Sequence, residues 1–139
     1  MAPNEKATAL AMLAAAAEKL SSARILHGQG YYNDALSRAY YAAFHAVSLL
    51  FFLGGRSFSR HGQLIGAFNK EFIATRILPK ELGKALNRLY DARQSGDYDI
   101  FVKSDQAESE QGLSDAATIV ASIIVYANEN MDAKLPSIS

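Results

Sequence analysis

Apolar residues recur along this chain at helical spacing, and no stretch alternates with the period of a strand. The pattern predicts five helices. The first runs from Asn4, as N-cap, to His27, with Leu10, Leu13, Ala17 and Leu20 on one face and Gly28 and Gly30 ending it. The second spans Tyr31 to Leu53 and stops at Gly54–Gly55. The third runs from Ser59 to Phe72, with Leu64, Ile65, Phe68 and Phe72 in register. The fourth opens at Pro79, where a missing N–H costs nothing, and reaches Gln94 with Leu82, Leu86 and Leu89 inward. A loop, SGDYDIFVKS, follows. The fifth starts at Asp105, with Glu108 completing a capping box, and carries the stripe Leu113, Ala116, Ala117, Val120, Ile123, Ile124 and Ala127. Short connections between long helices predict an all-α, up-down antiparallel bundle in one domain, residues 1–139, with a frayed tail from about 130.

The second helix departs from simple amphipathicity. Leu36, Tyr40, Phe44, Val47 and Phe51 cover one side, and Tyr41, Ser48 and Phe52 another. A helix apolar all round is buried on all sides, so it is either central to the bundle or shared with a dimer interface. A homodimer is therefore expected.

Composition changes this picture little. Half of the 139 residues are apolar and a fifth are charged, as in a globular domain. The chain has no cysteine, which excludes disulfides and thiolate metal sites and fits a reducing cytoplasm. No uncharged apolar run of about 18 residues occurs, so no membrane span is expected. Charge is more informative. Net charge is zero, yet residues 56–93 hold eight Lys/Arg against three Asp/Glu, while residues 94–139 hold two against eight. Such polarity either steers a charged partner or solvates separate helix faces.

Candidate chemistry sits among the polar guests. Arg38 and His45 share a helical stripe with Tyr41. Arg38 either pairs with an acid such as Asp34 or binds a phosphate, with His45 as a core histidine or a proton-transfer group. Ser59, Arg60 and His61 stand at a helix N-terminus, which is either a plain cap or an anion site. Arg93, Asp97 and Tyr98 follow at the end of the fourth helix, as a C-terminal turn or as part of a site. Histidines at 27, 45 and 61 show no metal-ligand spacing, and no phosphate loop or dinucleotide fingerprint appears; neither metal nor cofactor is expected. Arginine, histidine, tyrosine and aspartate without metal suit phosphate chemistry on RNA, where the 2′-hydroxyl is the nucleophile.

Three blocks in order, SRAYYAAFHAVSLLF, FSRHGQLIGAFNKEF and LPKELGKALNRLYDARQSGDYD, resemble the HEPN domain family in its small stand-alone prokaryotic branch. The resemblance covers about Lys19 to Tyr126. It implies a dimerising bundle of about five helices that works with nucleotide or RNA. It also implies a minimal nucleotidyltransferase as partner, in a toxin–antitoxin-like pair. Some members are metal-independent ribonucleases. For this chain the remaining alternative is a non-catalytic interaction module, with Arg38, Tyr41 and His45 as buried polar glue at the dimer interface. The family's nuclease motif is an arginine followed after four to six residues by a histidine. Arg93 matches the arginine, but Asp97 and Tyr98 stand where the histidine would be. Arg38 and His45 satisfy the spacing on the second helix and are the candidate catalytic pair. Tyr41, Arg60, His61, Arg93, Asp97 and Tyr98, with Arg38, form the candidate phosphate or nucleotide set.

Overall fold

A computed structural model describes residues 1–138. Five α-helices make the expected bundle: α1 (Pro3–Gly28), α2 (Tyr32–Leu53), α3 (His61–Phe68), α4 (Lys80–Tyr98) and α5 (Gln106–Asn130). A single π-helical segment, Asn69–Ile73, continues α3, so the predicted third helix is real but changes winding before Phe72.

Helix α2 is the hub. It packs on α1, α5 and α4, and eleven of its residues are buried. Its most apolar window has a mean hydropathy of 1.3, and 56% of that window is buried within the bundle. Its partner α1 buries Ala9, Leu13, Ala16, Leu20 and Ala23, a three-four spacing that forms one narrow seam. Leu10 and Ala17, expected inward, lie beside the seam, and Leu10 is exposed. Alanines on both helices, including Ala35, Ala39, Ala42 and Ala46 of α2, let the two backbones approach closely. On α5, Ile119, Val120, Ile123 and Ile124 are buried, each burial contributing roughly 1.5–3 kcal/mol.

The capping box forms as read: Glu108 N donates to Asp105 Oδ1 at 2.8 Å, and Asp105 N donates to Glu108 Oε1 at 3.4 Å. Helix α4 is longer than expected. It passes through Gly96 and ends at Tyr98, so Asp97 and Tyr98 belong to its last turn rather than to a loop. Gly96 packs against the Asn33 side chain, and the Arg93–Asp97 ion pair spans one turn, so the helix gains tertiary and local support where sequence suggested a stop. The tail also differs from the frayed end expected. Ala133 and Leu135 are buried. Asn128 donates to Leu135 O at 2.9 Å and accepts from Leu135 N at 2.7 Å, while Lys6 Nζ donates to Ala133 O and Lys134 O.

Candidate functional site at the α2–α4 face

Arg93 projects from α4 toward the outer side of α2. Its Nη2 donates to the Tyr41 hydroxyl at 2.8 Å. Its Nε lies 3.0 Å from Asp97 Oδ2, an ion pair whose angle falls outside hydrogen-bond geometry, so this buried N–H has a charge partner but no aligned acceptor. The guanidinium sits 5.7, 5.3 and 5.5 Å from the ring centroids of Tyr40, Tyr41 and Tyr98. Three aromatic faces and one carboxylate thus fix a planar cation that is only 15% exposed. Burial opposes the charge, but the oxygens of Tyr41, Tyr98, Asp97 and Tyr40 outweigh it and raise the arginine's pKa. Ser37 Oγ, one turn before Tyr41, donates to Asp97 Oδ2 at 3.4 Å.

His61, the first residue of α3, enters the same group from another direction. Its Nδ1 is 2.8 Å from the Tyr40 hydroxyl, and its ring stacks on Phe44 at 4.2 Å. It also meets the Tyr41 ring edge-on at 5.9 Å. Burial, and then the Arg93 charge, hold its pKa below the usual histidine value. Burial pushes the Tyr40 phenol well above its ordinary range, so its proton stays in place. Among the described residues that hydroxyl has no other partner. If it accepted from Nδ1–H, its own proton would be left without an acceptor in a buried place, which costs more than an idle lone pair. The favoured arrangement is therefore Tyr40 O–H donating to Nδ1, with the ring proton of His61 on Nε2.

The candidate residues thus divide. Tyr41, His61, Arg93, Asp97 and Tyr98 converge on one face. Arg38 is exposed and makes no hydrogen bond or ion pair among the described residues, so no contact ties it to Arg93, nor does it pair with Asp34. Arg60, beside His61, is likewise exposed. His45 touches Phe44 edge-on at 5.7 Å; burial, and then Lys19 of α1, lower its pKa. The stripe Arg38–Tyr41–His45 therefore splits, with Tyr41 turned to α4 and His45 within the field of α1. The sequence assigned Tyr40 and Phe44 to the core alone. Tyr40 is fully buried, but its hydroxyl also anchors His61, and Phe44 forms the stacking floor. No group of three metal-ligating side chains occurs among the described residues.

Chemically, this face offers a fixed guanidinium, a neutral imidazole near pH 7 and an exposed phenol, Tyr98, at 74%. That set can bind an anion and present a hydrogen bond to it. Around it, the outward side of α2 carries Tyr41, Phe44, His45, Ser48 and Phe52, all half-buried, which is more aromatic surface than a solvated helix face usually shows.

The HEPN domain model matches residues 9–126. A UPF0332 protein of Thermotoga maritima is 41% identical over 91 residues, covering 66% of this chain and 69% of that one. Two proteins of Methanocaldococcus jannaschii, each named only as a candidate toxin, are also similar. One is 33% identical over 95 residues, covering 68% of this chain and 65% of its own length. The other is 30% identical over 110 residues, covering 79% and 81%.

Proposed function

The chain belongs to the HEPN domain family, and we propose that it acts as a toxin-like homodimer holding a nucleotide or RNA phosphate at Arg93. The carrying observation is the convergence of Arg93, His61, Tyr41, Asp97 and Tyr98 from three helices. The misaligned Nε of Arg93 can re-seat on a ligand oxygen, because Asp97 does not satisfy it fully. His61 Nε2–H would donate to the same phosphate. The dimer would form through the aromatic outer side of α2, so that the two sites adjoin. A minimal nucleotidyltransferase is the protein partner in this reading, and the cytoplasm its compartment; a chain with no cysteine suits that reducing compartment. If no nucleotidyltransferase is encoded beside it, that pairing falls.

The test is equilibrium binding of AMP and a short RNA to the wild type, Arg93→Ala and His61→Ala, with sedimentation run alongside. Arg93→Ala should lose the ligand and keep the dimer. Unchanged affinity would reject the phosphate site. A folded monomer with unchanged affinity would favour a non-catalytic interaction module, for which Arg93 is only polar glue. Metal-independent ribonuclease action is the second reading, favoured by the neutral imidazole beside a fixed arginine. RNA cleavage by pure protein that survives His61→Ala would remove it.

A further inference from the structure

The end of the bundle where α4 passes into α5 carries two features that the Arg93 face does not use. One is an apolar cleft of about 480 Å³ between the helices, floored by Leu36, Leu89, Ala92 and Ala107. Gly112 lets Leu36 form that floor: a Cβ there would come within 2.3 Å of Leu36 Cδ2, so only glycine allows Leu36 to pack this close to α5. The polar wall is already satisfied. Asp115 accepts from Arg88 Nε at 3.0 Å, from Arg88 Nη2 at 2.8 Å and from Gln111 at 2.9 Å, so Arg88 and Asp115 cancel. Asp91 and Glu108 remain on the rim, exposed and uncancelled.

The second feature is the connecting turn. Ile100 and Phe101 are each 87% exposed. They are not on a slack loop. Phe101 N donates to Asp99 Oδ1 at 2.9 Å and Val102 N to Asp99 O at 3.1 Å. Asn33 then holds the base of the turn, donating to Val102 O and accepting from Ser104 N, both at 2.8 Å. A hydrogen-bonded turn that presents two large apolar side chains to water is preorganised for contact, and ordering it costs little on binding.

Charge decides what fits. Around the cleft Arg88 stands against Asp91, Glu108 and Asp115, and along the turn Lys103 stands against Asp99 and Asp105. Arg88 is already paired with Asp115. Nucleic acid would meet net negative charge here. A second copy docked symmetrically would set Asp91 and Glu108 against themselves, since a two-fold contact repeats one patch on both sides. We propose that this end is a docking surface for a basic amphipathic segment of a different protein. An apolar anchor seats in the cleft, a further apolar residue meets Ile100 and Phe101 on the turn, and its lysines or arginines meet Asp91 and Glu108. This surface is independent of the phosphate reading.

The test is fluorescence anisotropy of a labelled leucine–lysine amphipathic peptide against the full chain. Controls are its leucine–glutamate counterpart and a labelled single-stranded RNA. Two exposed-site variants are compared: Asp91→Lys with Glu108→Gln, which keeps a capping-box residue, and Ile100→Ser with Phe101→Ser. The lysine peptide should bind and weaken on added salt. Each double variant should lose about tenfold or more in affinity, roughly 1.4 kcal/mol. The glutamate peptide should not bind. Equal affinity for all three proteins, or no binding of the lysine peptide, overturns the proposal. So does RNA binding that depends on Phe101, or a wild-type oligomer that falls to monomer in the Ile100/Phe101 variant. Melting followed by circular dichroism confirms that both variants remain folded.

Discussion

Tyr40→Phe isolates the hydroxyl that links the core to His61. The ring itself is fully buried and touches Tyr41, Phe44, His61, Tyr90 and Arg93, and phenylalanine keeps every one of those ring contacts. Apolar burial therefore hardly changes, and no cavity larger than one oxygen opens. What is lost is a single 2.8 Å hydrogen bond. Its net worth is about 1 kcal/mol, because His61 is only half-buried and can turn to water while the phenol no longer has to be desolvated. For a domain of this length that loss lowers the thermal midpoint by roughly 3–5 °C. Urea unfolding should show a lower midpoint with an unchanged slope, since the exposed surface is the same. Arg93 keeps its three-ring seat, so AMP affinity should fall far less than in Arg93→Ala. A variant as stable as the wild type would mean that the Tyr40–His61 bond contributes nothing. A loss above about 3 kcal/mol would mean that the hydroxyl supports more than one histidine.

Other outcomes follow from the same geometry. The lowered folded pKa values of His45 and His61 mean that the unfolded chain binds more protons between those values and about 6.5. Stability should therefore be full above about pH 6.5 and decline as pH falls through the folded values; midpoints measured from pH 8 to 5 should flatten in His45→Gln and His61→Gln. Gly83→Ala places a Cβ 2.9 Å from Asn69 Oδ1 and 3.1 Å from Ile73 Cγ2 of the π-helix. The overpacking should cost about 1–3 kcal/mol against a helix-propensity gain of about 1, so a net loss is expected in urea unfolding. Asn128→Ala removes both bonds to Leu135 and should destabilise by about 1–2 kcal/mol. Amide exchange at Leu135 should accelerate in that variant, and unchanged exchange would mean that burial alone holds the tail.

The helices were legible because their signals are local. The α5 stripe and its Asp105–Glu108 box lie within one segment, and both are present in the fold. Gly96 misled the reading because glycine ends a helix only when the chain turns there; against Asn33 it simply continues one. The tail was unreadable for a related reason, since Lys6, at the other end of the chain, bonds Ala133 and Lys134, and Asn128 looks like any exposed polar residue. At the site, Arg93, Asp97 and Tyr98 could be singled out as neighbours on one helix end. His61 stood in the same candidate set, but its seat on Tyr40 and Phe44 could not be derived, because it arises through tertiary packing. The wheel position of His45 beside Tyr41 was correct, yet a helical wheel does not say which neighbour each side meets. Here Tyr41 meets Arg93, and His45 lies near Lys19.

Everything proposed for the α2–α4 face depends on Arg93 and His61 forming one phosphate site. Nitrogen-detected NMR of the His61 ring and the Arg93 side chain, during titration with AMP, tests it most directly. The imidazole should start with its proton on Nε2, and both residues should shift saturably along one binding curve that Arg93→Ala abolishes. AMP binding that leaves both signals unmoved, or that persists unchanged in Arg93→Ala, would contradict it.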